Sequence, residues 1–142
     1  LKYDIYLSDK DRKKVLQLPI IPAEMPTFSK ASKNEEFETY DNGTYNIIGD
    51  VGLTEFALES FFPAKSKSYS YQRVKNIDPY IYIDFINLSM IYKKPVKVVI
   101  TRNDGSYVVN NTFSIENFEY HEDKVGDFQY TLNLKLWRDY NV

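Results

Sequence analysis

The chain has 142 residues, a formal net charge of -2 and no cysteine. That length fits one domain with a real core. The charge leaves no global basic footprint for nucleic acid, and the missing thiols exclude disulfides, thiolate metal sites and cysteine nucleophiles together.

A single histidine, His121, excludes multi-histidine centres. No apolar run approaches the roughly 18 residues of a membrane span, and no signal peptide is visible. The absence of cysteine fits a reducing cytosol. Thirteen tyrosines and nine phenylalanines point to strands. Tyrosine also favours interfaces, because it joins an apolar body to a polar tip.

Tyr3, Ile5 and Leu7 alternate with Asp4, Tyr6 and Ser8, which predicts a first strand over 3–8. Ser8–Lys14 is a charged turn. Val15, Leu16, Leu18, Ile20 and Ile21 predict a second strand, broken by Pro19 and Pro22. Proline has no N–H, so this strand belongs at an edge or is irregular. Residues 22–35 read as an extended connection. Glu36–Tyr40 and Thr44–Ile48 flank Asp41-Asn42-Gly43, a hairpin signal because Asn and Gly tolerate positive φ. Gly49-Asp50-Val51-Gly52 reads as a further tight turn. Leu53–Phe62 is compatible with a helix or a strand. The glycines before it and Pro63 after it favour a strand.

Ala64–Ile77 carries Lys65, Lys67, Arg73 and Lys75, no acid, and Tyr69 and Tyr71 between serines. It reads either as a solvated loop or as a partner-binding arm, with Tyr69, Tyr71 and Arg73 as contacts. Asp78-Pro79 opens a helix: Asp caps its N–H groups and Pro suits the first position. The helix runs over about 79–93, ends at Lys93, Lys94 and Pro95, and has so few polar breaks that most of its surface should be buried. Val96–Thr101, Asn103-Asp104-Gly105 and Tyr107–Val109 form a hairpin, with Asn110-Asn111 as an interruption.

The clearest periodicity lies in Phe113–Trp137. Phe128, Tyr130, Leu132, Leu134 and Leu136 alternate with Gln129, Thr131, Asn133, Lys135 and Trp137. The partner strand changes parity between Ile115 and Phe118, as a β-bulge near Glu116–Asn117 would produce. The fold class is therefore mainly β (α+β), an antiparallel barrel or sandwich with one flanking helix, in one domain over 1–142.

No motif carries chemistry. No glycine-rich phosphate loop precedes the helix, and no nucleophile elbow occurs. His121-Glu122-Asp123 reads as a solvated hairpin tip. Glu35, Glu36 and Glu38 read as charges beside a turn rather than an acid–base pair, and Asp50 alone is not a calcium loop. Asn42, Asn87 and Asn110 fit the glycosylation pattern, which carries no weight without a secretory signal. No catalytic residue, cofactor or metal site is expected.

Three stretches in fixed order resemble a known family. They are Ile47-Ile48-Gly49, Gly52-Leu53 and Ser60-Phe61-Phe62-Pro63-Ala64; then the Asp78-Pro79 helix leading to Lys94-Pro95-Val96 and Thr101; then Ile115–Tyr120, Val125-Gly126-Asp127 and Tyr130–Lys135. Together they resemble the N-terminal domain of the LysM-bearing tail proteins of Gram-positive phages and phage-like particles, the PBSX-type prophage family. The resemblance implies a tail-tube-like domain assembled as a hexameric ring, with six-fold symmetry to match the tube, between tail tube and baseplate hub. Sheath or wedge proteins are further partners it implies; a membrane and specific nucleic acid are not. It places the protein in a virion or tail-like particle, such as a bacteriocin or contractile injection system, assembled in the bacterial cytoplasm. By the same analogy Phe113–Trp137 lines the inner wall, and Ala64–Ile77 reaches a neighbouring subunit or layer. The LysM module of that family is not among these 142 residues, so glycan binding is not carried over.

Two other readings stand beside it. A cell-wall glycan-binding module would use exposed aromatics clustered on an open groove. A small hydrolase would need paired carboxylates about 5–9 Å apart in a cleft, for which the sequence holds no support. Trp137 falls on the opposite strand face from Leu136. If that face meets a neighbour, Trp137→Ala should weaken assembly more than the monomer fold, as ultracentrifugation beside a thermal melt would show.

Overall fold

The computed structural model describes residues 2–138. Its elements in order are β1 (Tyr3–Asp9), β2 (Val15–Gln17), β3 (Glu35–Thr39), β4 (Gly43–Ile47), β5 (Glu55–Phe62), α1 (Pro79–Ile91), β6 (Val96–Arg102), β7 (Tyr107–Glu122) and β8 (Phe128–Leu136). Six strands form one sheet in the order β2-β1-β6-β7-β8-β5, with every neighbouring pair antiparallel. β3 and β4 form a separate hairpin.

The sheet curls into a half-barrel. Ile5 and Leu7 of β1 share one core cluster with Phe56, Leu58 and Phe62 of β5, although four strand steps separate β1 from β5. Residues of β6, β7, β8 and the helix complete that cluster between them. The helix spans the open side. Tyr82 stacks on Phe62 at 5.0 Å, and its hydroxyl donates to the carbonyl of Gln17, the last residue of β2, at 2.7 Å. Phe62 stacks in turn on Tyr130 at 4.2 Å, so three rings link helix, β5 and β8.

The two buried tyrosines differ in one respect. Burial pushes the ionisation of both hydroxyls up. Tyr82 has its acceptor, whereas the Tyr130 hydroxyl is buried with no hydrogen-bond partner among the described residues. A buried, unpaired hydroxyl costs free energy, while a paired one contributes about 1 kcal/mol. Tyr130→Phe is therefore expected to leave stability unchanged or raise it by about 1 kcal/mol, and Tyr82→Phe to lower it by a similar amount. Urea titration of the two variants checks the opposite signs.

The parity change in β7 is a register shift between Ile115 and Asn117, at the expected bulge. The second strand stops at Gln17, before Pro19, and lies at the sheet edge, though Leu18 and Ile20 remain buried. Leu53–Phe62 contains a strand, β5, as favoured. Asp78 accepts from the Tyr80 N–H at 3.0 Å and caps the helix.

Three expectations need correction. Asn110 and Asn111 do not interrupt β7. They pair with Val99 and Val98, because a ladder bonds through the backbone whatever the side chain. Gly49–Gly52 is no tight turn. It runs extended beside residues 31–34: Lys33 donates to the Asp50 carbonyl at 2.7 Å and Gly52 to that of Ala31 at 2.6 Å. The glycines serve close approach instead, since a Cβ at Gly49 would overlap the Lys33 carbonyl. Third, α1 buries Pro79, Tyr82, Ile83, Phe85 and Ile86 but leaves Ile81, Leu88, Ile91 and the adjoining Tyr92 exposed. One sheet can cover one stripe of a helix, and the other apolar residues lie outside it.

The helix ends in a Schellman motif. Lys94 donates to the Ser89 carbonyl at 2.9 Å and Lys93 to that of Met90 at 3.2 Å, with Lys93 at φ 55°. Glycine takes this left-handed position without strain. Lys93→Gly is expected to stabilise the fold by about 1 kcal/mol, measured as a raised denaturation midpoint; an equal or lower midpoint would refute the strain.

Candidate assembly surface

Among the residues marked for partner contact, two are bound within the domain. The Tyr69 hydroxyl donates to Asp127 Oδ2 at 2.7 Å, and this bond, first among its causes, pushes the phenol's ionisation up. Asp127 also accepts from the Ala64 N–H at 2.8 Å, and Lys67 Nζ lies 3.7 Å away. Arg73 pairs with Asp4 at 3.0 Å and donates to the Tyr3 carbonyl, while its own N–H donates to the Pro19 carbonyl at 2.7 Å. Segment 64–77 is thus laid along the domain, with Gln72 buried. Tyr71 stacks on Tyr69 at 5.4 Å and stays exposed.

Trp137 stands apart from these three. It follows the last residue of β8, whereas Asp127 precedes the first. Its N–H donates to the Thr112 carbonyl at 3.0 Å, and Lys10 Nζ lies 5.0 Å from the ring centroid. It is half-buried.

The tip between β7 and β8 is organised by Asp123, whose Oδ1 accepts from the N–H groups of Val125 and Asp127, both at 3.0 Å. Gln129 donates to Oδ2, and these bonds, that of Gln129 foremost, hold the carboxyl below its usual range. His121 is exposed beside this tip. Glu36 and Glu38 lie on one face of the β3–β4 hairpin and Glu35 on the other, in no shared cleft. Asp50 is exposed, and its carbonyl serves the Lys33 bond. Among the described residues no group of three or more His, Cys, Asp or Glu is placed to hold a metal ion.

The feature that sequence reasoning missed is the β3–β4 hairpin as a projecting arm. Every residue of β3 and β4 is exposed except Thr39, which is half-buried. Register puts Phe37, Tyr45 and Ile47 on one face, with Phe37 and Tyr45 stacked at 5.5 Å. An isolated two-stranded hairpin is marginal in water. This one is anchored at its base by the backbone bonds around Gly49–Gly52 and by the bridges Ser29–Glu55 and Ser32–Val51. The sequence signal was the apolar alternation with no second apolar layer to cover it.

Strand edges are also open. β7 beyond Phe113 has β8 on one side and no strand on the other, and β5 pairs only with β8 along its length apart from the single bridge at Glu55. A concavity of about 910 Å³ is lined in part by Ile20, Ile21, Phe61, Tyr71, Tyr120 and His121.

No protein-family model matches this sequence, and no curated protein matches it. Its fold is similar to that of a chain in the cryo-EM structure of the anti-feeding prophage (AFP) baseplate, 6-fold symmetrised, at a TM-score of 0.53 and 10% identity. The match covers 96% of this chain and 89% of that one. The two share a fold. The likeness spans nearly the whole of both chains, so it includes the curled sheet and helix together.

Proposed function

We propose that this protein is a structural subunit of a phage-tail-like particle, assembling as a ring between the tail tube and the baseplate hub. The observation that carries the reading is the fold shared over almost the full chain with a component of a 6-fold symmetrised baseplate. The exposed hairpin and the unpaired edges of β5 and β7 support it. Unpaired edges invite pairing with another chain, and an uncovered apolar ribbon invites a partner. The partners are copies of the same chain, with tube and hub proteins above and below and sheath or wedge proteins outside. Its role is architectural rather than catalytic.

Cryo-electron microscopy of the tail end tests this. A ring of the domain stacked beneath the tube is the expected result. A particle lacking the chain, with free monomer in the lysate, would refute it.

A second reading has one observation in its favour. Phe61, Tyr71 and Tyr120 line the open concavity, as a wall-glycan module would require. Trp137 is not among its lining residues. Binding of cell-wall fragments by the monomer, abolished by Tyr71→Ala, would favour that reading.

A further inference from the structure

Thirteen of the nineteen exposed large apolar side chains among the described residues lie on two surfaces. One is the hairpin arm with its base, residues 35–53. The other is the outward side of α1 and its C-terminal cap, residues 80–92. We infer that these surfaces are partners: the hairpin of one copy docks on the helix of the next. The inference rests on the ring reading and names its contact.

The chemistry of the two faces matches. Phe37, Tyr45 and Ile47 form the arm's apolar face, with Glu35 beside Ile47 on that same face. Ile81, Leu88 and Ile91 line the exposed side of the helix with its cap residue Tyr92, and Lys93 and Lys94 follow directly. Neither Glu35 nor the two lysines has an ion-pair partner among the described residues. Docking with the arm's base toward the helix C-terminus brings carboxylate to ammonium. Asp84, the acid on the exposed side of α1, lies toward the other end and opposes the reverse orientation.

The placement in the fold also fits. The arm hangs from β5, the helix packs on β7, and β8 lies between those strands. Two different patches on one chain allow a head-to-tail contact, the kind that generates a ring where the rotation between neighbours closes.

The chain has no cysteine, so single cysteines report the contact cleanly. Tyr45→Cys and Leu88→Cys are both at exposed positions. The variants are purified, mixed and oxidised, and their oligomeric state is followed by analytical ultracentrifugation. The expected result is a mixed disulfide dimer from the mixture and little product from either variant alone. In the wild-type background, Glu35→Lys should weaken self-association about tenfold, and adding Lys94→Glu should restore it. Oligomers that form without the mixed disulfide would overturn the docking while leaving the ring reading intact. A chain that stays monomeric at every concentration would overturn both.

Discussion

Phe62→Ala should cost roughly 3–5 kcal/mol, the range for removing a buried phenylalanine. The ring is fully buried between Tyr82 and Tyr130, at 5.0 Å and 4.2 Å, with interplanar angles of 8° and 9°. Its removal loses transfer free energy and both stacked contacts, and leaves a cavity where helix, β5 and β8 meet. For a chain of this size the melting temperature should fall by roughly 10–15 °C. The loss should also reach beyond β5, because Tyr82 ties the helix to β2 from the same stack. Phe62→Leu fills most of the volume and should recover about half of the loss. A thermal melt with hydrogen exchange on α1 checks this. A shift under about 3 °C would show that the stack is not the joint between helix and sheet.

Asp127→Ala should release segment 64–77. Asp127 is 3% exposed and accepts from the Ala64 N–H and the Tyr69 hydroxyl, with Lys67 close by. Hydrogen bonds to a charged group contribute about 1.5–3 kcal/mol each, and the partly screened lysine adds little, so a loss of roughly 3–6 kcal/mol is expected. The segment offers trypsin Lys65, Lys67, Arg73 and Lys75. Cleavage there should speed up in the alanine variant far more than elsewhere in the chain. Asp127→Asn keeps the shape and an acceptor oxygen, and should show the smaller effect. Unchanged cleavage in Asp127→Ala would mean that the contacts of Arg73 with Pro19, Asp4 and Tyr3 hold the segment without Asp127. In the intact protein this anchoring leaves Tyr71 as the exposed member of the tyrosine pair.

Local signals were legible where one rule acted alone. Period-2 alternation marked β8, the parity change marked the bulge in β7, and Asp78-Pro79 marked the start of α1. Asn103-Asp104-Gly105 marked its turn, where Gly105 has φ 90°. These depend on the geometry of a few adjacent residues, which the sequence contains in full. Strand, helix and turn, and hence the mainly β class, were determined there.

Which surface each element covers was decided only by tertiary structure. The apolar residues of α1 gave no means of telling Ile83 from Leu88; the curled sheet buries the first and cannot reach the second. Tyr69 and Arg73 look like free contact residues until Asp127 and Asp4, distant in sequence, are brought beside them. Gly49 reads as a turn glycine until residues 31–34 are seen beside it. The hairpin at 35–47 has the alternation of a core ribbon, yet nothing within the described chain covers its apolar face. Periodicity specifies that a face is apolar. Only the arrangement of the other elements specifies whether this chain or another one covers it.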